Sequence, residues 1–150
     1  MTSVKNEIDM KALGERIGQT LRGGEVIELV GDVGAGKTTL VKGIGVGLGV
    51  GDDIQSPSFT ISRIYDGRDG LQLHHYDFYR LSDAGVMSFE LAESVGSGNG
   101  VTVVEWADTV RGILPADCVR ISIQYTPQGD GRIVTVDAQG TDSHIAEVVV

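Results

Sequence analysis

Gly31-Asp32-Val33-Gly34-Ala35-Gly36-Lys37-Thr38 is the stretch on which the reading of this chain turns. It fits G-x-x-x-x-G-K-[ST], the phosphate-loop pattern. Its flanks are of the right kind. Residues 25–30 (EVIELV) read as a buried strand, and Leu40, Val41, Ile44 and Leu48 form one helical stripe behind the loop. The glycines let successive backbone N–H groups turn inward and wrap a β-phosphate with no Cβ in the way. Lys37 can reach the β- and γ-phosphates, the Thr38 hydroxyl can ligate Mg²⁺, and the helix start adds its positive end. A plain glycine turn before a helix explains the glycines but not the Lys-Thr pair. The pattern therefore predicts a nucleotide held by Asp32, Val33, Gly34, Ala35, Gly36, Lys37, Thr38 and Thr39.

Phosphate chemistry of this kind also needs an acid at the end of a neighbouring strand. Two are available: Glu105, which tips the apolar run 101–104 (VTVV), and Asp77, which ends 71–77 (LQLHHYD). Glu105 is the better match to a Walker B pattern. One carboxylate would bind Mg²⁺, directly or through water, and the other would polarise an attacking water. Ordinary strand-end acids would look the same at this level. Ser56-Pro57-Ser58-Phe59-Thr60 lies where a switch-like loop would meet the γ-phosphate, although a proline turn entering a strand fits equally well. His74 and His75 are adjacent on a predicted strand and face opposite sides, which argues against a zinc site. Trp106 reads as a packing or docking residue. Asp137-Ala138-Gln139-Gly140 imitates a GTPase D-x-x-G but falls too far from Lys37, with no N-K-x-D after it.

Farther out, Met10, Leu13, Ile17 and Leu21 predict an amphipathic helix over 10–21, stopped by Gly23-Gly24. Residues 58–65 and 71–77 predict two strands around a turn at 66–70, and 82–95 a helix. Residues 118–126 and 132–138 alternate apolar and polar, as an antiparallel hairpin turned at 127–131 would. Together these predict an α/β, three-layer P-loop NTPase-like mixed sheet with helices on its faces and a C-terminal antiparallel hairpin. With 150 residues, 1–150 is expected to be a single domain.

Glycine is the compositional outlier, with 22 residues. Eight lie between Gly31 and Gly51, three in the phosphate loop and five in an alternating run behind it. Each interior glycine costs a helix about 1 kcal/mol against alanine, so the helix is expected to fray near Leu48. A formal charge of −9 argues against direct nucleic-acid binding through a basic face. The lone Cys118 permits no internal disulfide, and neither a signal peptide nor a long apolar span is visible, so a cytoplasmic protein is expected.

Four blocks and their spacing resemble the TsaE (YjeE-type) family of small P-loop ATPases: GDVGAGKTTL at 31–40, SPSFT at 56–60, HYDFYRL at 75–81 and VEWAD at 104–108. LGER at 13–16 and the Gly131-Arg132 turn are weaker likenesses, and Ser58 stands where the family usually has threonine. The resemblance implies ATP and Mg²⁺ as cofactors and a role in forming threonylcarbamoyladenosine (t6A) in tRNA alongside the TsaB–TsaD pair. Low, partner-dependent hydrolysis is implied as well. Carried onto matching positions, it gives Lys37 and the loop amides to the phosphates. Thr38, Glu105 and Asp77 go to Mg²⁺ and water, and Thr60 to the switch-like loop. The adenine falls near Asn6 and Glu7, and Gly131 and Arg132 count among the nucleotide-binding positions. A small-molecule or nucleoside kinase is the main rival, weakened because residues 82–110 contain no Lys or Arg from which to build a lid. A GTPase-like regulator is the second.

Overall fold

The computed structural model describes residues 1–32, 34–55, 62–79, 85, 87–138 and 143–149. The strands β1 (Thr2–Val4), β2 (Val26–Val30), β3 (Ser62–Asp66), β4 (Gln72–Asp77), β5 (Gly100–Glu105), β6 (Val119–Tyr125) and β7 (Arg132–Asp137) form one mixed sheet. Their order is β1-β7-β6-β2-β5-β4-β3. The inner four, β6, β2, β5 and β4, run parallel, whereas β7 and β3 are antiparallel to their inner neighbours. Helices α1 (Glu7–Thr20) and α2 (Lys37–Gly47) cover one face, α3 (Met87–Val95) covers the other, and the short α4 (Ser143–Glu147) closes the chain.

The burial of β5 on both faces explains its uninterrupted apolar run. Val101 and Val103 point to the α1/α2 side with Ile27, Leu29, Leu73 and Ile121. Val104 points to the α3 side with Tyr76, Phe78 and Leu91. The β6–β7 hairpin forms as expected, but β6 also pairs in parallel with β2, so the hairpin extends the central sheet. Strand β1 and helix α4 carry no sequence signal, since three and five residues are too few for a periodicity.

Helix α1 begins earlier than its apolar stripe, because Asn6 caps it: its Oδ1 accepts from Asp9 N at 2.8 Å. At the other end Arg68, in the turn between β3 and β4, donates to the carbonyls of Gly18, Gln19 and Leu21 at 3.1–3.3 Å. A cation there complements both the carbonyls of the last turn and the negative helix end.

The expected fraying of α2 is not what the structure shows. Leu48, the C-cap, is fully buried, and its N–H bonds Ile44 O at 2.9 Å. The glycines have a packing reason. Gly14 and Gly18 of α1 face Gly43 and Gly47 of α2, backbone against backbone. A Cβ on Gly14 would lie 2.9 Å from Gly43 Cα, and one on Gly18 would lie 2.9 Å from Gly47 Cα. Side chains at these four positions would force the helices apart. The intrinsic cost of glycine is outweighed by the close seating of α2 on α1, which anchors the helix carrying Lys37.

Candidate nucleotide site

The loop leaves β2 at Gly31 and ends at Gly36, the N-cap of α2. Gly34 and Gly36 have φ of +81° and +112°, the left-handed region that an L side chain resists. Gly31 is constrained by proximity instead, since a Cβ there would lie 2.9 Å from Ile123 O of β6. Two side chains from the hairpin steady the loop from outside. Arg132 Nε donates to Ala35 O at 3.2 Å, and Tyr125 OH donates to Gly34 O at 3.3 Å. The Arg132 guanidinium carbon lies 3.9 Å from the Tyr125 ring centroid, so the two stack as a unit.

Lys37 is 7% exposed. Its Nζ donates to Gly31 O and, at 3.0 Å, to Asp32 O, and it lies 4.4 Å from the centroid of the Trp106 ring. Burial pushes its pKa down; the charges of Glu105, Asp77 and Asp32 pull it partly back. Trp106 takes φ +57°, an uncommon backbone for a large residue, and stands 4.8 Å from the Tyr79 ring. The sequence suggested packing or docking for Trp106. The structure sets it at the phosphate loop.

The two candidate acids come together through sheet register. Asp77 and Glu105 are direct partners on neighbouring parallel strands, so their side chains share one face, and Leu29 of β2 is the next residue along. Both line a cavity of about 320 Å³ with Glu7, Gly34, Gly36, Lys37, Thr38, Thr39, Tyr79 and Trp106. A second cavity of about 150 Å³ lies against the loop between Asn6, Glu7, Met10, Ala35, Thr39 and Arg132. Glu7, Gly34, Gly36 and Thr39 border both, so the two hollows adjoin around the loop. Asn6 and Glu7, expected near the adenine, and Arg132, expected to touch the nucleotide, line the smaller hollow together.

Gly131 lines neither, and its bare Cα instead allows close approach to Val4 O, 2.8 Å from where a Cβ would be. Asp32 lines a cavity of about 530 Å³ with Glu28, Trp106 and Arg111, and meets Lys37 through its backbone carbonyl. Val33 and Thr60 lie outside the described residues.

Sequence reasoning missed His75. It is fully buried, and its Nε2 lies 2.7 Å from Glu105 Oε2. The signal was available: on a strand, position 75 shares the face of position 77. His74 faces the other side, where its Nδ1 meets Ser94 Oγ at 2.7 Å.

The oxygen donors Thr38, Asp77 and Glu105 suit a hard cation such as Mg²⁺. Among the described residues no three His, Cys, Asp or Glu side chains cluster as a metal cage. A cation here would thus complete its shell with phosphate and water, as Mg²⁺ commonly does.

A glycine loop joining a parallel strand to its helix, with carboxylates ending two adjacent strands, defines a protein of P-loop NTPase-like fold. The profile of the threonylcarbamoyl adenosine biosynthesis protein TsaE matches residues 4–134, and the chain belongs to the TsaE family. The tRNA threonylcarbamoyladenosine biosynthesis protein TsaE of Treponema pallidum is 38% identical over 125 residues, 83% of this chain and 91% of that protein. Its counterpart in Streptomyces coelicolor is 38% identical over 145 residues, covering 94% and 98% respectively. The crystal structure of Bacillus subtilis YdiB superposes with a TM-score of 0.74 at 30% identity, covering 99% of this chain and 91% of that one.

Proposed function

We propose that this chain, as a single unit over 1–150, binds ATP with Mg²⁺ and hydrolyses it to ADP and phosphate in support of tRNA t6A formation. Its partners would be proteins like TsaB and TsaD, in the cytoplasm. Among the described residues no helix is long and apolar enough to cross a membrane. The observation that carries the reading is the convergence of Lys37 and Thr38 with Asp77 and Glu105 on one cavity.

In this reading the loop amides and Lys37 hold the β- and γ-phosphates, and the adenine occupies the hollow by Asn6, Glu7 and Arg132. Mg²⁺ held by Thr38 and one of the two carboxylates would neutralise charge developing on the transferred phosphoryl group. Asp77 and Glu105 divide two tasks: completing the metal's oxygen set and accepting a proton from the attacking water. The water oxygen bonds to the γ-phosphorus as the bond to the β–γ bridging oxygen breaks, releasing ADP. Lys37 must leave the Gly31 and Asp32 carbonyls for phosphate oxygens, a stronger, charge-assisted partner.

The test is phosphate release from ATP with and without the two partner proteins. Stimulation by the partners, abolished by Glu105→Gln, is the expected result. A phosphorylated metabolite in place of free phosphate would point to a kinase, and preferential binding of GTP would point to a GTPase-like regulator.

A further inference from the structure

We infer that His75 is a positioning residue that fixes the Glu105 carboxylate for the chemistry at the phosphate loop, an assignment that rests on the ATPase reading. A glutamate's terminal torsion is broad, so the rotamer by itself does not set where its two oxygens point. Glu105 is 3% exposed, so little of its side chain reaches solvent. His75 supplies the missing restraint. It lies two residues before Asp77 on β4, opposite Val103, which lies two before Glu105 on β5. The sheet therefore places the imidazole diagonally behind the carboxylate and on the same face.

The ring's hydrogen bonding indicates what it is for. Nε2 meets Glu105 Oε2 at 2.7 Å, while Nδ1 is buried with no partner among the described residues. With the proton on Nε2, the ring donates to the carboxylate, and Nδ1 is a bare lone pair, cheaper to bury than an unpaired N–H. Among the described residues this histidine makes one side-chain hydrogen bond, and that bond goes to the candidate catalytic acid. Its neighbour His74 contrasts, being bonded on both nitrogens, to Ser94 and Gln72. One Glu105 oxygen is thus engaged from behind, and the other is left for the cavity that holds Thr38, Asp77 and Lys37. This is the arrangement by which an outer partner tunes an acid that ligates or activates.

The experiment compares wild type, His75→Leu, His75→Gln and Glu105→Gln in the complex with the partner proteins. The measurements are kcat and KM for ATP, and Mn²⁺ affinity by electron paramagnetic resonance with a non-hydrolysable ATP analogue. His75→Leu should lower kcat about 10- to 100-fold, leave KM within about threefold, and weaken Mn²⁺ about tenfold. His75→Gln, whose amide N–H can stand where Nε2 stood, should recover most of both. Should His75→Leu not fold, His75→Asn, too short to reach, takes its place with the same expectation. A folded His75→Leu (or Asn) within twofold of wild type in both measurements overturns the assignment, as does an equal loss in His75→Gln. An inactive wild type whose Mn²⁺ affinity Glu105→Gln leaves unchanged would defeat the ATPase reading itself.

Discussion

Lys37 is held in place by the loop that carries it. Its ammonium rests on two loop carbonyls and the Trp106 face, places that a phosphate would outcompete. Because burial lowers its pKa, the ammonium is lost at a lower pH than for a free lysine. Affinity for phosphate should accordingly fall on the alkaline side earlier than the ordinary lysine range, and Lys37→Met should abolish that dependence and cost at least about tenfold in nucleotide affinity. Calorimetric titration with ATP across pH checks both. Trp106 is the chain's one tryptophan, so its fluorescence should change when nucleotide draws Lys37 away, and should not respond in Lys37→Met. The loop pattern made Lys37 and Thr38 legible at once. The spacing of His75 to Asp77 gave only its face; its meaning comes from a residue 30 positions away.

Among the elements, α1 and α2 carry the least expected result. Helix propensity alone predicts that Gly43→Ala stabilises by about 1 kcal/mol. The structure predicts the reverse. Backbone lies where the new methyl would go, so Gly43→Ala or Gly14→Ala should destabilise by about 2–3 kcal/mol in urea unfolding. Gly45→Ala should cost less, because its Cβ meets the movable end of Ile54. The alternating glycines could not be read correctly from their period, since the surface they fit belongs to another helix. On the opposite face, burial holds the His74 pKa below the ordinary imidazole value, while Ser94 ties it to α3. A depressed pKa means the folded state binds the proton less readily than the unfolded chain. Its stabilising share is therefore present above pH ~6.5 and lost as pH falls toward the folded value. The wild-type urea midpoint should drop more between pH 7.5 and 5.5 than that of His74→Gln.

At the scale of the whole molecule, the −9 charge predicts that the chain alone does not retard tRNA in a native gel at physiological salt. Retardation without the partners would contradict a role exerted through protein contacts. One buried acid outside the nucleotide site helps hold the framework together. Glu28 on β2 pairs with Arg111 at 3.0 Å and Arg120 of β6 at 3.1 Å, tying the loop-bearing strand to its neighbour and to the segment after β5. What the sequence determined by itself was local: the phosphate loop, the strand before it and helix behind it, the runs that become β4 to β7, and the two strand-end acids. Each is written in consecutive residues, as a motif or as a periodicity of 2 or 3.6. Tertiary structure alone decided which parallel strands are neighbours, and so that Asp77 stands beside Glu105 with His75 behind it. It alone decided that the glycines of α2 are a seat for α1. Contacts between segments far apart in the chain depend on topology and close packing, and no window of sequence contains both partners.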